Sequence, residues 1–241
     1  MSRILALETA TEACSVALWI EGEVLERFEV APRRHAELAL PWIEDLLAQA
    51  GLARAQLDAV ACGRGPGAFT GVRLAVAITQ GLALALDRPA VGVSTLEALA
   101  LPAMRELEAA GDTGTGVLAA IDARMGEVYL ADHARDASGA WARLGEERVL
   151  APADFAAEHA GARVGVGTGF SAQDSVLTAR LGAGLSRVDA QALPRAGDVA
   201  RLAAAALARG EGLAPEDLQP AYLRNRVALT LAEQGKPVPS A

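Results

Sequence analysis

The sequence is poor in aromatic side chains, and lysine is almost missing. Aromatics make up 4% of the 241 residues, so a core has to be assembled from Ala, Leu and Val. Lys236 is the only lysine among 22 basic side chains, and the arginine and alanine bias reads as genome composition, not function. The formal net charge of -8 lacks the basic footprint of a free-standing nucleic-acid binder. Cys14 and Cys62 are the only cysteines. Both fall in apolar, strand-like segments and read as buried, reduced thiols of a cytoplasmic chain. The three histidines, His35, His133 and His159, are scattered and show no metal-ligand spacing. His35 reads as a surface or capping residue at a helix start, and His133 and His159 as solvent-exposed. No run of about 18 uncharged apolar residues exists, so no membrane span is expected. Residues 4–20 are apolar, but Glu8 and Glu12 interrupt them and only Arg3 precedes them, unlike a signal peptide.

What is present is a 52% hydrophobic chain, long enough for one large domain or two small ones. Residues 3–8, 13–20 and 24–30 read as three consecutive strands joined by short breaks. Residues 35–51 read as a helix, with Leu38, Trp42, Leu46 and Leu47 at helical spacing and Gly51 as the stop. A strand over 57–62, a loop over 63–69, a helix over 70–86 and a strand over 89–93 follow, and Ser94 can cap the next helix. The order βββαβαβα is the ribonuclease-H-like plan, which actin-like ATPases use twice. Residues 116–123, 127–132 and 148–150 read as strands of a shorter second copy. A short helix over 154–159, a strand over 162–167, and helices near 172–180 and 197–209 complete it. The fold class expected is therefore α/β, with two ribonuclease-H-like (actin-like ATPase) lobes, the second smaller and degenerate. Residues 1–110 form the first lobe in this reading, 111–234 the second, truncated one, and 235–241 a frayed tail. The helix near 197–209 is expected, by analogy with actin-like folds, to return to the first lobe.

The chemistry-bearing candidate is the run Gly63-Arg64-Gly65-Pro66-Gly67-Ala68-Phe69-Thr70-Gly71-Val72-Arg73 between a strand and a helix. Glycines there permit sharp turns and close backbone approach, and a helix N-terminus offers free N–H groups to an anion. Gly63, Gly65 and Ala68 fit a G-x-G-x-x-A dinucleotide fingerprint as a string. Against it, the loop follows the fourth strand, Pro66 removes an N–H, and no acidic residue ends the next strand. A Walker lysine is absent. Two readings remain: glycines that let the helix pack tightly on the sheet or on a partner, and contact with an anion or nucleotide.

Residues 65–73, GPGAFTGVR, resemble the GPGSFTGLR signature of the TsaB family. Residues 4–18 resemble its opening segment, and residues 121–129, IDARMGEVY, its second-half signature. His35-Ala36-Glu37-Leu38 and Tyr222-Leu223-Arg224 also fit, and the three main motifs occur in order along nearly the whole chain.

The resemblance implies a pseudo-enzyme related to TsaD, the subunit that transfers threonylcarbamoyl to adenosine 37 of tRNA. TsaD-like chains carry a metal-binding H-x-x-x-H after the Gly-rich helix; here Thr95 and Leu99 stand at those positions, and only Glu97 persists. No metal and no cofactor are expected. The actin-like phosphate turns look degraded. Glu8-Thr9-Ala10-Thr11 has a Glu where an Asp is expected and no glycine, and Asp122-Ala123-Arg124-Met125-Gly126 carries two long side chains. Thr9, Thr11, Asp122 and Arg124 mark a vestigial nucleotide site. Gly165-Val166-Gly167-Thr168-Gly169 fits either a remnant adenosine turn or a strand-to-loop transition. Asp122 with Glu127 suggests a carboxylate pair, but a turn held by Asp122 and Arg124 is favoured.

The partner implied is a TsaD-like catalytic subunit. Gly65, Pro66, Gly67, Phe69, Thr70, Gly71, Arg73, Leu74, Ala75 and Ile78 are the interface candidates, and Gly71, Ala75, Ala77 and Gly81 would allow close helix approach. The resemblance further implies a TsaE-like ATPase docking on the pair, a homodimer when the chain is alone, and tRNA reached only through the complex. The competing readings are a small-molecule kinase or carbamoyltransferase of the actin-like ATPase group, which needs intact phosphate turns, and an autonomous tRNA-binding module, which the charge disfavours.

Overall fold

The computed structural model describes residues 2–157 and 161–224. Its first sheet is built from β1 (Arg3–Glu8), β2 (Ala13–Ile20), β3 (Glu23–Val30), β4 (Ala59–Gly63) and β5 (Ala90–Val93). The strands run in the order β3-β2-β1-β4-β5, with β1–β2 and β2–β3 antiparallel and β1–β4 and β4–β5 parallel. The second sheet holds β6 (Gly116–Arg124), β7 (Glu127–Arg135), β8 (Trp141–Leu150), β9 (Arg163–Val166) and β10 (Leu185–Asp189). Its order, β10-β9-β6-β7-β8, with β6–β7–β8 antiparallel and β6–β9–β10 parallel, repeats the first. Both sheets thus follow the expected actin-like, ribonuclease-H-like plan.

Strand alternation decides which helix covers which face. Leu5 and Leu7 of β1 point with Val16, Leu18, Val60 and Cys62 toward α1 (His35–Ala50) and α2 (Phe69–Leu86). Ile4 and Ala6 point the other way, with Ala59, Ala61 and Val91, onto Val199, Ala200 and Ala203 of α5 (Ala196–Ala208). The alanines explain how so few aromatics suffice: flat, small faces let α5 lie close on the sheet. In the second sheet, Val117, Ala119 and Ile121 meet Leu96, Leu99 and Met104 of α3 (Thr95–Ala109). Leu118, Ala120 and Leu130 meet Phe155, Phe170 and Leu177 on the opposite face. So α3 covers the second sheet, α5 covers the first, and the two helices pack together between the sheets.

Several details correct the sequence reading. The third strand of the second sheet runs over Trp141–Leu150 rather than 148–150, and β10 went unseen, because its alternation is interrupted and it is mostly exposed. The second copy is short of helix, not of strand: α4 (Val176–Leu181) has six residues. The helix expected over 154–159 is a single 3-10 turn at Pro152–Asp154, and residues 155–157 are not helical. His159, the end of that helix and the tail over 235–241 lie outside the described residues. Ser94 does cap α3: its side chain accepts from the Glu97 N–H.

Candidate functional site: a cleft and a helix face

The Gly-rich run seats the start of α2 on the β1–β2 turn. A Cβ at Gly71 would collide with the Thr9 carbonyl, and one at Gly67 with the Ala10 carbonyl. The space those side chains leave is used by hydrogen bonds: Thr9 Oγ1 donates to the Gly71 carbonyl at 2.7 Å, and the Ala68 N–H to the Ala10 carbonyl at 2.7 Å. Of the two readings of the loop, tight packing is therefore realised within the chain itself.

The turn that cradles phosphate in actin-like ATPases is occupied by its own side chains. Glu8 is 1% exposed; one carboxylate oxygen accepts from the Ala10 N–H at 2.7 Å and the other from Thr95 Oγ1 at 3.0 Å. Thr95 Oγ1 in turn accepts from the Gly65 N–H at 3.2 Å. Burial pushes the Glu8 carboxyl up to about 7, against the pull of those hydrogen bonds. Thr95 and Leu99, at the positions of the TsaD-like histidine pair, are both buried, and Leu99 belongs to the α3 core. Glu97 is raised, first by burial. Among the described residues no group of three His, Cys, Asp or Glu side chains is placed to hold a metal.

A cleft of about 780 Å³ opens between the two sheets' ends. Thr9, Thr11, His35, Thr70 and Leu74 line one wall, and Asp122, Arg124, Tyr129 and Thr168 the other. Thr9, Thr11, Asp122 and Arg124, scattered in sequence, do share this space. They are bonded within their own walls: Thr9 Oγ1 donates to the Gly71 carbonyl, and Thr11 Oγ1 accepts from the Ala13 N–H at 3.3 Å. Asp122 accepts from the Arg124 N–H at 2.8 Å and pairs with its guanidinium at 2.9 Å, while its own N–H donates to Thr168 Oγ1 at 3.1 Å. Glu127 pairs instead with Arg224. Gly165 packs on Phe170, and Gly167 and Gly169 pack on Ala120, so that stretch is a packing device. His35 Nε2 lies 3.0 Å from the Thr11 carbonyl. His133 is not exposed: it is 2% accessible, on the α3 side of β7, and burial holds its imidazole down at about 4. Arg34, of the Arg33–Arg34 pair, is exposed and bound to Glu29 at 2.8 Å.

The interface candidates divide. Gly65, Pro66, Gly71 and Ala75 are buried in the chain's own core, Ala75 at 0% against the first sheet, and form no outer surface. The α2 stripe that faces outward is Phe69, Thr70, Arg73, Ala77, Gly81, Leu84 and Ala85, with Gly67, Leu74 and Ile78 half-buried at its edge. Leu84 is 71% exposed and Phe69 47%. By length and composition α2 could cross a membrane; here its inner face is packed on the first sheet. Leu84 was missed because it lies outside the Gly-rich motif and carries no signal of its facing, and Tyr222 because nothing local places it beside Phe69, 6.0 Å away between ring centroids.

Comparison with known proteins decides the family. A family model described as "TsaD: tRNA N6-adenosine threonylcarbamoyltransferase" matches residues 28–166. The tRNA threonylcarbamoyladenosine biosynthesis protein TsaB of Escherichia coli is 45% identical over 234 residues, covering 94% of this chain and 96% of that one. The chain belongs to the TsaB family. The TsaB protein of Haemophilus influenzae is 38% identical over 93% of this chain and 94% of its own length. Among solved structures, a Pseudomonas aeruginosa protein described as similar to peptidase YeaZ is 45% identical, with a TM-score of 0.80 over 93% of this chain and all of that one. A second, described as YeaZ from the same organism, has a TM-score of 0.79 at 44% identity.

Proposed function

We propose that this TsaB-family chain serves tRNA threonylcarbamoyladenosine biosynthesis as a cytoplasmic, non-catalytic subunit that binds and stabilises a TsaD-like catalytic partner. The observation that carries the reading is the outward stripe of α2. Ala77, Gly81 and Ala85 give a smooth surface on which a second helix can approach closely, and Phe69 and Leu84 give apolar anchors at its two ends. The turns that would handle a phosphate are hydrogen-bonded internally, and Thr95 and Leu99 offer no imidazole; both support the reading that the chain supplies no nucleophile, base or metal. A TsaE-like ATPase docks on the pair, the same α2 face makes a homodimer when the partner is absent, and tRNA meets the chain only within the complex.

Reconstitution tests this. The chain is mixed with the TsaD-like and TsaE-like proteins of its own organism, tRNA, ATP and the threonylcarbamoyl donor, and modified adenosine is measured. Omitting the chain should abolish the product, while Asp122→Asn should leave it within about twofold of the parent. Product formed equally well without the chain, or lost in Asp122→Asn with the complex intact, would overturn the reading.

A further inference from the structure

After α5 the chain does not leave the molecule. Leu213 exchanges two backbone hydrogen bonds with Ala90, both 2.9 Å, at the edge of the first sheet. Leu218 is 1% exposed and enters the core under α2, where its side chain fills the space left open at Gly92. Gln80 of α2 donates to the Leu218 carbonyl at 3.0 Å, and the Ala221 N–H to the Arg64 carbonyl at 2.7 Å. Tyr222 then docks on the first turn of α2: its hydroxyl accepts from Arg73 Nε at 2.7 Å, and the Arg73 guanidinium lies 3.4 Å over the Phe69 ring. Two residues on, Arg224 reaches the opposite wall of the cleft. It pairs with Glu127, donates to the Arg124 carbonyl at 3.3 Å and touches Met125 Sδ at 3.7 Å.

We propose that residues 218–224 are a clasp across the mouth of the cleft, tying the start of α2 to the β6–β7 turn and thereby setting the width of the space between them. Three features point to it. The two anchors flank opposite walls: Phe69 and Arg73 stand beside Thr70 and Leu74, which line one side, and Arg124, whose carbonyl Arg224 binds, lines the other. The Arg224 side chain is 17% exposed, sheltered enough for a charge-assisted hydrogen bond to hold. The β6–β7 turn has left-handed backbone at Arg124, Met125 and Gly126, and Met125 is 67% exposed. A turn so placed gains its tertiary support at that point from Arg224.

The test uses the full chain. Hydrogen exchange is followed in peptides spanning residues 118–130 for the parent, Arg224→Ala, Glu127→Ala and the double variant. Each single change should speed exchange there roughly tenfold, as loss of one sheltered charge-assisted bond does. The double should add little to either single, and peptides from β1 and β2 should not change. In parallel, spin labels at Ala36→Cys and Ser171→Cys, on opposite walls, report the width: the distance distribution should lengthen or broaden in Arg224→Ala. Additive exchange effects, or superimposable distance distributions with and without Arg224, would overturn the clasp.

Discussion

Two buried titratable groups act against each other on this chain's pH stability, and removing either one should expose the other. Glu8 sits in the first sheet under the Gly-rich loop, and its carboxyl is raised to about 7 from an ordinary 4.5, chiefly by burial. The folded state therefore binds that proton more tightly than the unfolded chain. Stability from Glu8 is fully present below about pH 4.5 and falls as pH rises through 7, by about 3 kcal/mol for a shift of that size. His133 lies under α3 in the second sheet, and burial lowers it to about 4 from 6.5. There the unfolded chain binds the proton more tightly. The fold gains stability as pH rises from 4 to 6.5, again by about 3 kcal/mol. Between roughly pH 4.5 and 6.5 the two slopes oppose one another and largely cancel. Urea unfolding at half-unit steps from pH 4.5 to 8 reads both. Relative to the parent, Glu8→Gln should gain stability as pH rises through that interval, because the amide keeps a carbonyl for the Ala10 N–H and has no proton to lose. His133→Leu should lose it, exposing the Glu8 slope. If the Glu8→Gln and parent profiles run parallel from pH 4.5 to 8, the buried carboxyl does not titrate as argued and the reasoning fails.

Other consequences are open to the same methods. Gly71→Ala drives a methyl into the Thr9 carbonyl, backbone that cannot yield as a side chain would, and should cost about 2–4 kcal/mol in urea unfolding. Ala75→Arg puts a charge into the α2–sheet core and should lower stability by at least roughly 3 kcal/mol, whereas Ala77→Arg, on the outer stripe, should stay within about 0.5 kcal/mol of the parent. The Arg163–Asp132 pair, 2.7 Å apart with side chains 6% and 5% exposed, should behave as a buried pair. Asp132→Leu alone strands the guanidinium and should cost about 3–5 kcal/mol, and Asp132→Leu with Arg163→Met should recover most of it. Millimolar ATP should leave the melting temperature unchanged, since the turn groups that would receive a phosphate are already bonded; a shift of several degrees would contradict that.

The first sheet was nearly legible residue by residue, because most of its strands are short apolar runs set off by turns, and Gly51 takes the left-handed C-cap that stops α1. The second was harder. β10 carries Ser186, Arg187 and Asp189 on an exposed edge and gives no apolar signal, and β8 is interrupted by the Gly145 kink, so only its last residues looked like strand. At the candidate site, the motif glycines were found by pattern, but pattern does not say which way they face. Gly71 and Ala75 look like a helix-contact stripe in sequence; the neighbours they contact are Thr9 and the first sheet. His133 was read as a surface residue, but it is buried, and so is the charge of its neighbour Asp132, held against Arg163. The gathering of Thr9, Thr11, Asp122 and Arg124 into one cleft follows from the repeated sheet plan, in which the first hairpin of each copy points to the same opening. What sequence could not place were the contacts made by Tyr222 and Arg224, because they join residues 149 and 97 positions apart.

The most direct measurement of the central claim is size exclusion with light scattering on this chain mixed with its own organism's TsaD-like protein at micromolar concentration, run with the parent and with Ala77→Arg. The account predicts a 1:1 complex for the parent and none for Ala77→Arg, with the variant's circular dichroism and urea midpoint unchanged. No complex from a well-folded parent chain, or one that the arginine leaves intact, would contradict it.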